Sequence, residues 1–129
     1  MTTGYNINIE EKTLENTNFR EVLFTAPHSQ LVVMTLRPGE EIGLEKHEDR
    51  DQFIRVESGV GEAFLDKHKV LLEDGVAVVI PGGVEHNVVN TSASEPLKLY
   101  TIYSPPEHPK DTIHITKEAA DEDEHSHHH

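Results

Sequence analysis

The stretch Gly75-Val-Ala-Val-Val-Ile-Pro-Gly-Gly-Val-Glu-His-Asn-Val-Val-Asn90 decides the fold. It sets a β-branched run between two reversals. Gly75 and Gly83 permit tight turns, Pro81 stiffens the exit from the run, and His86 opens a second extended run with its side chain free to face an interior. Outward from this stretch the pattern repeats. Short alternating or β-branched runs at 6–9, 19–25, 31–37, 43–47, 52–57, 59–65, 70–72, 76–80, 85–90 and 97–103 are separated by Pro38-Gly39, Ser58-Gly59, Asp74-Gly75, Pro81-Gly82-Gly83 and Glu95-Pro96. Period-two runs between such regular turn signals predict an all-β domain, a small antiparallel barrel without a long helical stripe. Beyond Tyr103 the segment Ser104-Pro-Pro-Glu-His-Pro109 lacks the N–H groups a central strand needs, so the wall is expected to end there. Thr116 is a candidate N-cap for a short helix through Lys117-Glu118-Ala119-Ala120. From Asp121 the chain turns acidic and then His-rich, a composition expected to bury nothing and to be mobile.

At 129 residues the chain fits one core. The expected organisation is an N-terminal arm at 1–18, the barrel at 19–105 and a C-terminal extension at 106–129. An arm of that length can add a strand to a neighbour's sheet, so a homodimer is expected. Apolar residues make up 35% of the chain and mean hydropathy is −0.54. The longest aliphatic run, 76–80, is far below the ~20 residues of a spanning helix, so no membrane partner is expected. The first residues lack the basic and apolar regions of a secretory signal, from which a cytoplasmic location is expected. The absence of cysteine excludes disulfides, thiolate metal sites and a cysteine nucleophile, so any metal must use nitrogen and oxygen ligands. Eleven Lys plus Arg against 24 Asp plus Glu give a net charge of −13, which repels phosphate backbones and argues against nucleic acid as a partner.

The spacing Gly75, Pro81, Gly83, His86, Asn90 reproduces the second motif of the cupins, G-x5-P-x-G-x2-H-x3-N, at all five fixed places. The first cupin motif, G-x5-H-x-H-x3,4-E-x6-G, is found upstream from Gly39 to Gly59 with two substitutions. Glu45 stands at the usual first histidine, His47 at the second, and Gln52 at the usual glutamate, after the four-residue spacer Glu48-Asp49-Arg50-Asp51. The chain thus resembles a single-domain cupin of the conserved-barrel type over roughly residues 19–105. The resemblance implies a jelly-roll-like double-stranded β-helix whose metal ligands are Glu45, His47, Gln52 and His86.

Residues two apart on a strand share a face, so Glu45 and His47 point the same way, and Gln52 shares a face with Ile54 and Val56. If the turn at 48–51 returns Gln52 to His47, and a later hairpin delivers His86, four donors converge. The usual three histidines and one glutamate carry one negative charge, and so does this set. One divalent ion, Zn, Mn, Fe or Ni, is therefore the expected cofactor. The donor composition is similar to that of type I phosphomannose isomerases, with the glutamate and glutamine exchanged in order. An enzyme is favoured, with the ion acting as a Lewis acid on a small sugar-like or polyoxygenated substrate, as in an isomerase, and Glu45 as the candidate catalytic proton-transfer group. The cations between Leu44 and Tyr103 form no cluster suited to a phosphate. Two other readings stand beside this one: an Fe- or Ni-dependent dioxygenase, and a barrel that binds or senses a small molecule without turnover. His28 and His68 are expected in solvated turns, Tyr100 and Tyr103 on opposite faces of one strand, and His108 and His114 no nearer than the barrel mouth. The ending Glu-His-Ser-His-His-His is kept apart from the site.

Overall fold

In the computed structural model, which describes residues 3–126, the chain runs α1 (Ile9–Glu15), β1 (Arg20–Thr25), β2 (Gln30–Leu36), β3 (Asp51–Ser58), β4 (Gly61–Leu65), β5 (His68–Leu72), β6 (Ala77–Ile80), β7 (His86–Val89), β8 (Leu97–Ser104), β9 (Ile113–His114) and α2 (Lys117–Ser126). A six-stranded sheet in the order β6-β3-β8-β2-β1-β9 faces a three-stranded one in the order β5-β4-β7. All the ladders are antiparallel. The expected all-β double-sheet architecture is therefore present.

The core follows from alternation. β8 buries Leu97, Leu99, Thr101 and Tyr103 while turning the residues between them outward, and β3 does the same with Gln52, Ile54 and Val56. Their inner faces meet Val32, Met34 and Leu36 of β2 and, from the smaller sheet, Ala63, Leu72 and Val88. Closure requires glycine at the β3–β4 turn. Gly59 has φ +94°, and a Cβ there would collide with the Pro96 carbonyl.

Three expectations need correction. The run 6–9 is not a strand, because Ile9 begins α1, and the side chain of Asn8 caps that helix by accepting a hydrogen bond from the Glu11 N–H at 3.0 Å. The arm then lies on its own barrel, with the Asn16 amide donating to Thr35 Oγ1 and Lys98 Nζ donating to the Asn16 carbonyl. The run 43–47 is not a continuous strand either. It touches β7 through the isolated bridge of Glu45 to His86 only, with a second isolated bridge just before it, Glu41 to Val89. Gly43, at φ +116°, gives its N–H to the Asn87 side chain instead of to a ladder carbonyl. Finally, the acidic residues from Asp121 continue α2 as far as Ser126, and Asp123 takes a hydrogen bond from His114. Residues 127–129 of the His-rich end lie outside the described residues. The helix start expected at Thr116 is present, with its Oγ1 accepting from the Ala119 N–H at 3.0 Å.

Candidate metal centre and the cavity above it

Three local devices position the four candidate donors. Glu45 and His86 exchange both backbone hydrogen bonds, N–H to carbonyl, at 2.8 Å each. In such an antiparallel pair the two side chains leave on the same side, so the carboxylate and the imidazole are set together by one bridge. His47 follows two residues later on the same face, and its carbonyl is held by the Gly83 N–H at 2.9 Å. Gln52 enters from the opposite sheet, at the start of β3 between Ile80 and Tyr103, and is 3% exposed.

The ligand atoms of Glu45, His47 and His86 lie within 4.8 Å of one another. His47 Nε2 is 3.7 Å and His86 Nε2 3.9 Å from Glu45 Oε1. Donors sharing one ion at about 2.0–2.2 Å stand roughly 3–3.5 Å apart, so small side-chain rotations would bring these three onto it. His86 Nδ1 faces the Val84 carbonyl at 2.9 Å. A carbonyl only accepts, so Nδ1 carries the proton and Nε2 presents a lone pair to the site. Gln52 is oriented in the same manner: its amide donates to Thr101 Oγ1 at 3.0 Å, which leaves the carbonyl oxygen as the free end.

The decisive feature is what these atoms lack. His47 Nε2, Gln52 Oε1 and His86 Nε2 are all buried without a hydrogen-bond partner. Each unsatisfied buried polar atom costs about 1–3 kcal/mol, and the two imidazole atoms beside the Glu45 carboxylate fit a cation that accepts both lone pairs. The donor set suits a divalent ion of the nitrogen- and oxygen-binding kind.

Electrostatics agree. Burial pushes the Glu45 carboxyl up, but His47, Arg20 and His86 together outweigh it and hold the group below the usual carboxylate range. The adjacent Glu45 carboxylate raises His47 against the opposing effect of burial, with Glu107 adding to the rise. Burial raises Glu107 despite the pull of His47 and Arg50.

Above the donors lies a cavity of about 520 Å³. Glu45 and His47 form its floor, and much of its wall comes from Arg20, Glu107, His108 and His114. Sequence reasoning left these four out of the site. His108 is half-buried, meets Tyr103 edge-on at 5.2 Å, and is pushed down to about 3, chiefly by burial and then by Arg20 and His114. His28 and His68 are exposed, as expected, and of the two tyrosines it is Tyr103 that points inward.

A cupin domain model matches residues 32–103. The chain belongs to the cupin family. Over 116 residues this cupin is 45% identical to a protein of Acanthamoeba polyphaga mimivirus, an alignment covering 88% of this chain and 72% of that one. It is 46% identical over 117 residues to the YrkC protein of Bacillus subtilis, covering 86% of this chain and 62% of that protein. A crystal structure from Bacillus halodurans superposes with a TM-score of 0.89 at 43% identity, over 92% of this cupin and 93% of the other chain. No helix among the described residues is long and apolar enough to cross a membrane.

Proposed function

We propose that this cupin is a metal-dependent enzyme acting on a small polyoxygenated molecule. Glu45, His47, Gln52 and His86 would hold one divalent ion. The observation that supports this reading most strongly is the Glu45, His47, His86 cluster, in which both imidazole Nε2 atoms are buried and partnerless beside the carboxylate. When bound, the ion would supply Lewis-acid polarisation of a substrate carbonyl or hydroxyl, the chemistry of an isomerase. The protein's own groups do the rest. Glu45, held ionised, supplies the one negative charge of the set and keeps its expected second part as a proton acceptor. Glu107, on the cavity wall, is raised by burial against the pull of His47 and of Arg50, with which it pairs, and stands as the second carboxylate facing the substrate space. The loop at 107–109 and α2 narrow the cavity and limit water above the donors.

Two histidines and one carboxylate are also the donor set of non-haem ferrous oxygenases, and the Glu45, His47, His86 cluster favours that as a second reading. Oxygen uptake that requires ferrous ion would select it over the isomerase. For the metal site itself, thermal unfolding of chelator-treated protein gives the test. Adding Zn or Mn at about a hundredfold over its Kd should stabilise the fold by about 2.7 kcal/mol, and His86→Ala should abolish that gain. An equal gain in His86→Ala would remove the basis of the proposal.

A further inference from the structure

The cavity wall contains a buried cation that makes no ion-pair contact among the described residues and acts on the Glu45 carboxylate only at longer range. Arg20, on β1, is 4% exposed, with its guanidinium over the Phe19 ring at 5.2 Å from the centroid. Its Nη1 lies 3.1 Å from His114 Nδ1. A guanidinium only donates, so Nδ1 accepts and the imidazole proton sits on Nε2, which donates to Asp123 Oδ2 at 2.7 Å. Arg20 is thus fixed in orientation by an imidazole and not by a carboxylate. Among the described residues the arginine ion pairs belong to Arg50 and Arg55, and Arg20 makes none.

With Nη1 engaged, the edge formed by Nε and Nη2 remains. Nε is buried and has no partner. That edge is the one through which a guanidinium takes both oxygens of a carboxylate side by side. Arg20 also lines the same cavity as Glu45 and His47. A buried charge is tolerated when it is paired, so the pairing group is to be sought in whatever fills the cavity.

We propose that Arg20 anchors the carboxylate of a small organic acid, seated in the cavity with a neighbouring hydroxyl or keto oxygen toward the metal site. The second half of this statement rests on the metal reading above; the first half does not. One unpaired cation balances one negative charge. With Glu107 and Asp123 on the same wall, a phosphate dianion would be repelled where a carboxylate is accepted. The sequence window from Leu44 to Tyr103 contains no such anchor because Arg20 precedes it and His114 follows it.

The test uses the full chain with glycolate as the probe, and glycolamide and inorganic phosphate as comparisons. Calorimetry on the zinc-loaded protein should give glycolate at least about tenfold tighter binding than either comparison. The Nε–H resonance of Arg20, assigned by its loss in Arg20→Lys, should shift as glycolate is added. Arg20→Gln should lose about tenfold or more in glycolate affinity with metal content unchanged. The inference is overturned by an Arg20 Nε–H signal that does not move, by no binding at millimolar glycolate, by phosphate or glycolamide binding equally well, or by Arg20→Gln matching the native affinity. The resonance is read on the native chain, so it decides even if Arg20→Gln does not fold. If the chain takes up no metal, the same titration on metal-free protein separates the two claims. Movement then supports the Arg20 anchor with only the metal reading lost, and no movement overturns the anchor as well.

Discussion

Gln52 is, with Glu45, one of the two positions at which the first motif departs from the usual cupin residues, and its surroundings fix which end of the amide is free. Thr101 Oγ1 takes the amide N–H, so the carbonyl end is left free, buried and without a partner. Thr101 is fully buried. Thr101→Val keeps the shape and removes that acceptor, so we expect metal affinity to fall by about 10–100-fold, as read by competition with a chelator. Unchanged affinity would place Gln52 outside the metal's coordination. His108 provides a second prediction. Its imidazole stays neutral down to pH of about 3 in the folded state, whereas the unfolded chain takes up the proton near the ordinary 6.5. The unfolded state therefore binds more protons between those values, and stability must fall as pH drops from 6.5 toward 3. The slope from this group approaches about 1.4 kcal/mol per pH unit. His108→Phe should flatten urea-unfolding stability against pH over that window relative to the native protein, and an unaltered slope would contradict the assignment.

At the scale of elements, the second motif was readable in the sequence because its parts are close together. Gly83 and His86 act within one turn and one strand entry, and Asn90 ties that strand's end to its surroundings. Its amide donates to the Leu36 carbonyl at 3.0 Å and the Glu95 carbonyl at 2.9 Å, and its carbonyl accepts from the Ser92 N–H at 2.9 Å. Asn90→Ala leaves two buried carbonyls and an N–H without their partner. A loss of about 2–4 kcal/mol in urea denaturation is expected, and a loss well under 1 kcal/mol would show that water replaces the amide. Other elements were harder to read. The run 43–47 alternates like a strand, yet the Asn87 side chain takes the Gly43 N–H and reduces the pairing to an isolated bridge. For α1 the signal was present and outweighed. Asn8-Ile9-Glu10-Glu11 has the spacing of a capped helix start, but the short run ending at Ile9 reads equally well as extended chain.

Across the whole molecule, the cluster of Glu45, His47 and His86 was legible and the cavity wall was not. Those three residues sit in motifs whose spacing implies convergence. Arg20 and His114 meet only because the two-residue β9 pairs with the edge of β1, joining positions 94 apart in sequence. No local periodicity encodes such a contact. The cavity wall thus depends on the C-terminal extension: β9 brings His114, and α2 brings Asp123 to hold it. A truncation within α2 would disturb the wall, so the metal question is best asked of the full-length chain with its terminal imidazoles replaced.

That measurement is metal content by mass spectrometry on a chain carrying His125→Gln, His127→Gln, His128→Gln and His129→Gln, with and without Glu45→Ala or His86→Ala. The account predicts close to one equivalent of divalent metal after reconstitution, lost in both site variants. No metal in the tail-substituted parent, or an equivalent retained when Glu45 and His86 are removed, would contradict it.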